Sequence, residues 1–400
     1  MKILHINTHD RGGAFQAVYR LHQGLLDNHI DSKILVLYHT DKENKLHKVY
    51  SFFDTLNLFL KIKCTLKYKK LNKKYNKLIA QKKNVQFTFS ETAFNILSNH
   101  LVKEADVIHL HWVASFLDYE SFFRRVKKPI IWTLHDKNPF NGGFHYDIYF
   151  LDEYKLLNQQ IRQAKKKAYQ FCKNMQIVCP SKWLHELAKE SDLLGNFTHH
   201  YIPYSLDTNV FCSHSKEQAR KYFKLPLHKK IVLFVADAIG DVRKGLHYLL
   251  EALEKVESKD MILVTTGQGE VKNIDLIHYE LGFFSDDAQI ALAYNCADIF
   301  VIPSLEDNLP NTVLESMACG TPIIGFEVGG VKDMIQNEEN GYLIETKNSD
   351  ELAEKITYLL KNNSLRKQMA RNARKIAEDY YQLDIQAKKY INLYQNILKK

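Results

Sequence analysis

Three acids, Glu306, Asp307 and Glu315, stand close together in SLEDNLPNTVLESMACGTPIIGF, residues 304–326. The run before them, DIFVIPS (298–304), reads as a strand, and residues 305–309 read as a loop. Pro310 fits the first turn of a short helix, where its missing N–H costs nothing, and Gly320 ends that helix. Glu306 and Asp307 are therefore expected beside a positive helix N-terminus at the carboxyl end of a strand. Read alone, acids in that place most simply cap the helix. Read as a site, Asp307 and Glu315, eight residues apart and so just over two turns, address one side of a cleft. Other candidates also follow apolar runs. Gly12 and Gly13 come after the first, and a helix after them offers free N–H groups to an anionic phosphate. His135 ends PIIWTLH and Asp136 follows it, although a lone His is more often structural. Arg243 and Lys244 come after KIVLFVA, and in isolation such a pair is an ordinary surface feature. Gly267 sits in the turn TTGQGE.

The elements that would position these residues alternate. KILHINT (2–8), SKILVLY (32–38), VIHLHW (107–112), PIIWTLH (129–135) and QIVCPS (176–181) read as strands, with helical patterns between them, the first over about 14–27. The rhythm restarts at KIVLFVA (230–236), with a helix over about 243–257, then MILVTTG, DIFVIPS, TPIIGF and GYLIE, and is helical after 349. Apolar strands separated by helices predict parallel sheets covered on both faces. The segment 204–228 breaks the rhythm. The expected architecture is α/β, with two doubly wound Rossmann-like domains facing across a cleft. They span 1–205, with a basic insert at about 55–90, and 206–382, and a C-terminal helix, 383–400, returns to the first domain. Ligands of such sheets bind at the carboxyl ends of the strands.

Composition narrows the class. The 400 residues are 45% hydrophobic and 25% charged, which is ordinary for a globular chain of two domains. No run approaches the ~18 apolar residues of a spanning helix, and MKILHINTHD is too short for a signal-peptide core, so a cytoplasmic protein is expected. Six scattered cysteines show no disulfide or zinc spacing. The net charge of +9 is concentrated: ten lysines lie within residues 61–83, and no acid occurs between Asp54 and Glu91. Apolar residues recur there at helical spacing (Phe59, Ile62, Leu66, then Leu71, Tyr75, Leu78, Ile79), as in a basic amphipathic helix with room for a break between the two series. Such a helix suits an anionic membrane surface or is simply the solvated face of a packed helix. No nucleic-acid motif accompanies the charge.

The stretch 304–326 resembles the acid-x7-Glu segment of retaining glycosyltransferases of family 4 (glycosyl transferases group 1, GT-B fold), in the subgroup associated with bacterial surface polysaccharides. The spacing runs from Asp307 to Glu315, with Asp where the family usually has Glu. The resemblance extends along nearly the whole chain. DRGGAFQAV (10–18) is similar to the family's Gly-Gly loop, and WTLHDKNPFNGGFHY (132–146) to an acceptor-side segment. There Phe144 replaces a Cys of many relatives, and their cysteine cluster is absent. IPYSLD (202–207) stands where the family often has Ile-Pro-Asn-Gly, and ADAIGDVRKGLHYLLEAL (236–253) resembles the diphosphate-binding segment, without the family's earlier Arg. LGFF (281–284) resembles the loop against the nucleotide base, and FEVGGVKDMI (326–335) a structural element.

The resemblance implies transfer of a sugar from a nucleoside diphosphate sugar to an acceptor hydroxyl with retained configuration, without an essential metal or a prosthetic group. It implies that His135, Lys244, Asp307 and Glu315 carry the chemistry, His135 by binding and positioning. The donor would meet Gly12, Gly13, Arg243, Lys244, Gly267, Phe283, Glu306, Asp307, Asn308, Leu309 and Glu315, with Glu315 on the ribose and Lys244 on the diphosphate. His135 and Asp136 would face the acceptor, a saccharide or lipid-linked saccharide, with an anionic membrane surface as a further partner through residues 61–83. The alternatives are a catalytically degenerate, membrane-docked subunit of the same fold and a sugar-nucleotide epimerase.

Overall fold

The computed structural model describes every residue except 40–45, 80–85, 257–259, 273–274 and 400. Its chain divides into two compact units, Met1–Pro203 with Gln386–Lys400, and Tyr204–Ile385. The expected divisions lay after 205 and after 382, within three residues of these.

The first unit is a seven-stranded sheet: β1 (Lys2–Asn7), β2 (Asp31–Val36), β3 (Val49–Ser51), β4 (Val107–Leu110), β5 (Ile130–Thr133), β6 (Met175–Cys179) and β7 (Thr198–Tyr201), in the order β3-β2-β1-β4-β5-β6-β7. All its pairings are parallel. The second is six-stranded: β8 (Lys230–Ala238), β9 (Met261–Gln268), β10 (His278–Glu280), β11 (Ile299–Ile302), β12 (Ile323–Phe326) and β13 (Gly341–Ile344), in the order β10-β9-β8-β11-β12-β13, again parallel. Strand order reverses between β1 and β4 and between β8 and β11, so each sheet has one switch point where its strand ends open a crevice. Strands β3, β7 and β10 were not legible in the sequence. Each is a short edge strand with polar residues (VYS, THHY, HYE) and so lacks the apolar run of a central strand.

Two local differences bear on function. The helix expected over 243–257 is a 3-10 turn, Val242–Lys244, then a helix, Leu246–Lys255. Gly245 separates them at φ 67°, and a Cβ there would lie 1.9 Å from the Pro303 carbonyl oxygen. Pro310 is the N-cap residue before the helix Asn311–Ala318 rather than inside its first turn.

The lysine-rich segment is one helix, Leu58–Leu78, without a break, and none of its residues is buried. Lys82 and Lys83 lie outside the described residues. Its inward stripe is Cys64, Tyr68, Leu71 and Tyr75. Cys64 and Leu71 pack against the core, Tyr68 lies against Phe94, and Tyr75 stacks on Phe89 at 3.7 Å. The expected apolar series is thereby split: Leu71 and Tyr75 face the body, while Phe59 and Leu66 are 73% and 63% exposed. An open groove of about 1650 Å³ runs beside this helix, lined by Lys67, Lys74, Leu78, Leu156 and Phe171 among others, and none of the candidate site residues lines it.

Candidate functional site

In the second unit the site forms at the switch point. The turn after β8 carries Arg243 and Lys244, and the loop after β11 carries Glu306–Leu309. Lys244 Nζ lies 2.6 Å from Asp307 Oδ2, and Arg243 reaches the same oxygen at 3.3 Å. Arg243 also donates to the Glu306 carbonyl at 2.9 Å, and the Leu305 amide donates to the Arg243 carbonyl at 2.8 Å. Two loops far apart in sequence are thus tied by charge and by backbone. Asp307 does not cap the helix that follows. Its Oδ1 accepts from the Asn308 amide at 3.1 Å and its Oδ2 from the Ser304 hydroxyl at 3.4 Å, and the Pro310 N-cap has no side-chain hydrogen bond. For Asp307 the capping reading fails because the buried Arg243 and the part-buried Lys244 outcompete a helix end for the carboxylate. The amide of Asn308, a residue expected to meet the donor, already serves Asp307.

Burial alone would raise the Asp307 carboxyl; Lys244, then Arg243, outweigh it and hold it below the usual carboxylate range. Burial and the neighbouring Arg243 lower the Lys244 ammonium, against the pull of Asp307. Glu315 lies buried in the helix Asn311–Ala318 and accepts from the Tyr294 hydroxyl at 3.1 Å. Asn308 and Leu309 are buried, and Glu306 is partly so. Gly267, at φ 144°, packs where a Cβ would lie 1.8 Å from the Ala236 carbonyl oxygen, and its amide donates to Gly282. Phe283, in the loop beyond, is half exposed.

The sequence reading treated FEVGGVKDMI as structural only. Its glycines hold the acid: the Gly330 amide donates to the Asp307 carbonyl at 3.1 Å, and Gly329, at φ 47°, leaves room for that same carbonyl. Tyr294 and Ser304 were also missed, since neither belongs to a pattern that sequence spacing reveals.

In the first unit, Gly12 opens the helix Gly12–Asp27 after β1 at φ 82°, and Gly13 follows it in the first turn. His135 and Asp136 follow β5 and are buried. Asp136 turns inward: its Oδ2 lies 2.6 Å from His145 Nδ1 and accepts from the Trp112 indole at 2.8 Å, and its Oδ1 accepts from the Asn138 amide at 2.9 Å. Burial would raise this carboxyl, but His145 and the two donors hold it low. Asp136 is thus a clamp on the loop 136–145. Lys165, unsuspected from sequence, completes the clamp by donating to the Asn138 carbonyl at 2.5 Å and the Gly142 carbonyl at 2.7 Å. Burial pushes this ammonium down to about 7.

His135 meets His111 at 3.2 Å, and His111 meets His5 at 2.9 Å. His5, His109 and His111 each bring one nitrogen within 4.8 Å of the others, close enough to be weighed as a cation site, which the sequence reading did not anticipate.

Residues 215–376 match the family model of glycosyl transferases group 1. An uncharacterized glycosyltransferase of Methanocaldococcus jannaschii is 26% identical over 310 residues, 74% of this chain and 76% of that protein. The N,N'-diacetylbacillosaminyl-diphospho-undecaprenol alpha-1,3-N-acetylgalactosaminyltransferase of Campylobacter jejuni is 35% identical over 181 residues, 43% of this chain and 46% of that one, so the chain spans about half the length of that relative. Among solved structures, Anabaena HepE in complex with UDP superposes with a TM-score of 0.70 at 16% identity, covering 99% of this chain and 100% of that one. At that identity the likeness speaks for the fold, GT-B, with two parallel α/β units. The second unit is accordingly a glycosyl transferases group 1 domain, and over most of its length the chain resembles the glycosyltransferases of that group.

Proposed function

We propose that the chain is a retaining glycosyltransferase. It moves a hexose-type sugar from a nucleoside diphosphate donor to a hydroxyl of a saccharide or lipid-linked saccharide, in the assembly of a bacterial surface polysaccharide. One observation carries the reading: Lys244 and Arg243 converge on Asp307 at the carboxyl ends of β8 and β11. Asp241, 3.6 Å from Arg243, balances the cluster while it is empty, but both cations stand ready where negative charge develops on a departing diphosphate, and preorganised charge of this kind supplies most of the rate enhancement in many enzymes. Arg243 supplies a planar fork and Lys244 a point charge. Asp307, ionised at neutral pH, accepts from sugar hydroxyls, and Glu315 from the ribose. The bond between the anomeric carbon and the phosphate oxygen breaks, the acceptor oxygen bonds to that carbon on the same face, and the acceptor proton leaves on the diphosphate. The reaction so written needs neither a metal nor a prosthetic group. His135 positions the acceptor. The name of the Campylobacter relative specifies a diphospho-undecaprenol acceptor, which favours a lipid-linked one here.

Thermal unfolding with UDP, GDP, ADP and CMP tests this, with UDP first because of its presence in HepE. A nucleotide at 100 times its Kd adds ~2.7 kcal/mol, which raises the midpoint of a domain of this size by roughly 5–10 °C. The rise is expected with one nucleotide and should vanish in Lys244→Ala. No rise with any nucleotide would overturn the donor assignment.

We propose also that the protein docks on the inner face of an anionic membrane. No described helix is long and apolar enough to cross one. The support is the outward stripe of the helix Leu58–Leu78, where exposed Phe59, Ile62 and Leu66 continue at helical spacing into Lys70, Lys73 and Lys77. Apolar side chains next to lysines suit an interface with anionic headgroups, worth about 1 kcal/mol per basic residue. Vesicles with anionic lipid should sediment the wild type but not a variant whose lysines at 61–77 are replaced by Gln. Equal binding by both would end the idea.

A further inference from the structure

One face of the first sheet turns from apolar to polar toward its carboxyl end. Ile3, Val107 and Ile131 pack with the last helix, Leu383–Leu398. Two residues on come His5, His109 and Thr133, and then His111 and His135. His5 Nδ1 lies 2.9 Å from His111 Nε2, and His111 Nδ1 lies 3.2 Å from His135 Nε2. A side branch joins His109 to Tyr394 at 2.7 Å and to Thr133 at 2.8 Å, with Tyr390 on Thr133 at 2.7 Å. His5, His109 and His111 are almost wholly buried, and that burial, with the neighbouring rings, holds all three well below the ordinary imidazole range.

A neutral imidazole has one N–H and one lone pair, so His111 donates through one nitrogen and accepts through the other. Two polarities exist. If His135 donates inward, the proton of His5 stays on Nε2, which has no partner among the described residues, and a buried N–H is orphaned at a cost of about 1–3 kcal/mol. If His5 donates outward, the unpartnered Nε2 is a lone pair, which protein interiors tolerate better than an unmet N–H. We propose that His5 and His111 are positioning residues. Their chain runs outward to His135 and fixes it as the tautomer protonated on Nδ1, a hydrogen-bond donor rather than a base. The proposal rests on the reading of His135 as an acceptor-side group. Its Nε2 lone pair is spent on His111, so His135 does not take the acceptor proton, in agreement with a same-face transfer in which that proton leaves on the diphosphate.

A cation held by His5, His109 and His111 is the competing use of the cluster. Both nitrogens of His109 and of His111 are already hydrogen-bonded. The two rings lie 4.0 Å apart, tilted by 35°, rather than converging on one point. Among the described residues no carboxylate joins them to offset a divalent charge.

The test is long-range ¹H–¹⁵N correlation on the full chain labelled at its histidines, which reads each tautomer from its pair of ring-nitrogen shifts. His135 is assigned by the signal lost in His135→Gln. The wild type should show His135 protonated on Nδ1. His111→Gln, which can still accept from His5 and donate to His135, should keep that tautomer; His111→Phe should lose it. In His111→Phe, kcat should fall about tenfold, the scale of one neutral hydrogen bond, with the donor KM unchanged. His135 protonated on Nε2 in the wild type would overturn the proposal, as would one equivalent of bound transition metal by elemental analysis. Since the tautomer is read without turnover, an inactive protein with the Nδ1 form would count against the proposed reaction and leave the relay standing.

Discussion

Lowering the pH from 7.5 to 5.5 should destabilise the first unit steeply. His5, His109 and His111 have folded pKa values well below 6.5 because burial penalises their charged forms. Above 6.5 neither the folded nor the unfolded chain holds these protons, and no penalty applies. Below 6.5 the unfolded chain takes up a proton at each ring while the folded chain does not, so stability falls and keeps falling until the folded pKa values are reached. At pH 5.5 each ring costs on the order of 1 kcal/mol. His22 and His135, whose pKa values are lowered to about 4, add to the loss, which becomes a sizeable part of a usual total of about 5–15 kcal/mol. Urea unfolding followed by tryptophan fluorescence isolates the effect, because Trp112, Trp132 and Trp183 all belong to the first unit. His109→Gln should lose less over the same range, by on the order of 1 kcal/mol. A urea midpoint that stays level from pH 7.5 to 5.5, or an equal loss in His109→Gln, would refute the reasoning.

Lys244→Ala leaves Asp307 with Arg243 as counter-ion, so the chain should stay folded while turnover drops ~10²–10³-fold, the loss of one charge contact; near-wild-type turnover would remove Lys244 from the site. Glu315→Ala should fall in the same range, read from steady-state kinetics. Asp307→Glu pushes an extra methylene into a carboxylate held at 2.6 Å from Lys244, so activity should fall rather than rise toward that of a family-type Glu; a gain would show that Asp is the poorer acid here. Gly329→Ala places a Cβ 1.9 Å from the Asp307 carbonyl oxygen at a backbone φ of 47°. Urea unfolding followed by circular dichroism, since the second unit has no tryptophan, should show a loss above the ~1–2 kcal/mol of left-handed strain alone, and turnover should fall because Asp307 is displaced.

Central strands, the two-unit α/β plan, the turns bearing Lys244 and Asp307 and the short helix bearing Glu315 were legible in the sequence. Buried parallel strands are continuous apolar runs, and turn residues mark where each stops. His109 and His111, two apart in VIHLHW, and His5 in KILHIN carried a period-two signal too, but inside apolar runs they passed for strand residues. The alternation means a shared face only once β1 is known to lie beside β4, with His5 opposite His109. The partners of Asp307 were not legible at all. Spacing along one strand and helix suggested a cap, whereas Lys244, 63 residues earlier, holds the carboxylate because strand order brings β8 beside β11. The lysine helix shows the same division. Its charge and period are local and readable, yet the side its apolar residues face depends on what the rest of the unit leaves to cover. Local sequence sets which elements form, since propensity and periodicity act over a few residues; the pairings that build a site are long-range, and only the folded sheet decides them.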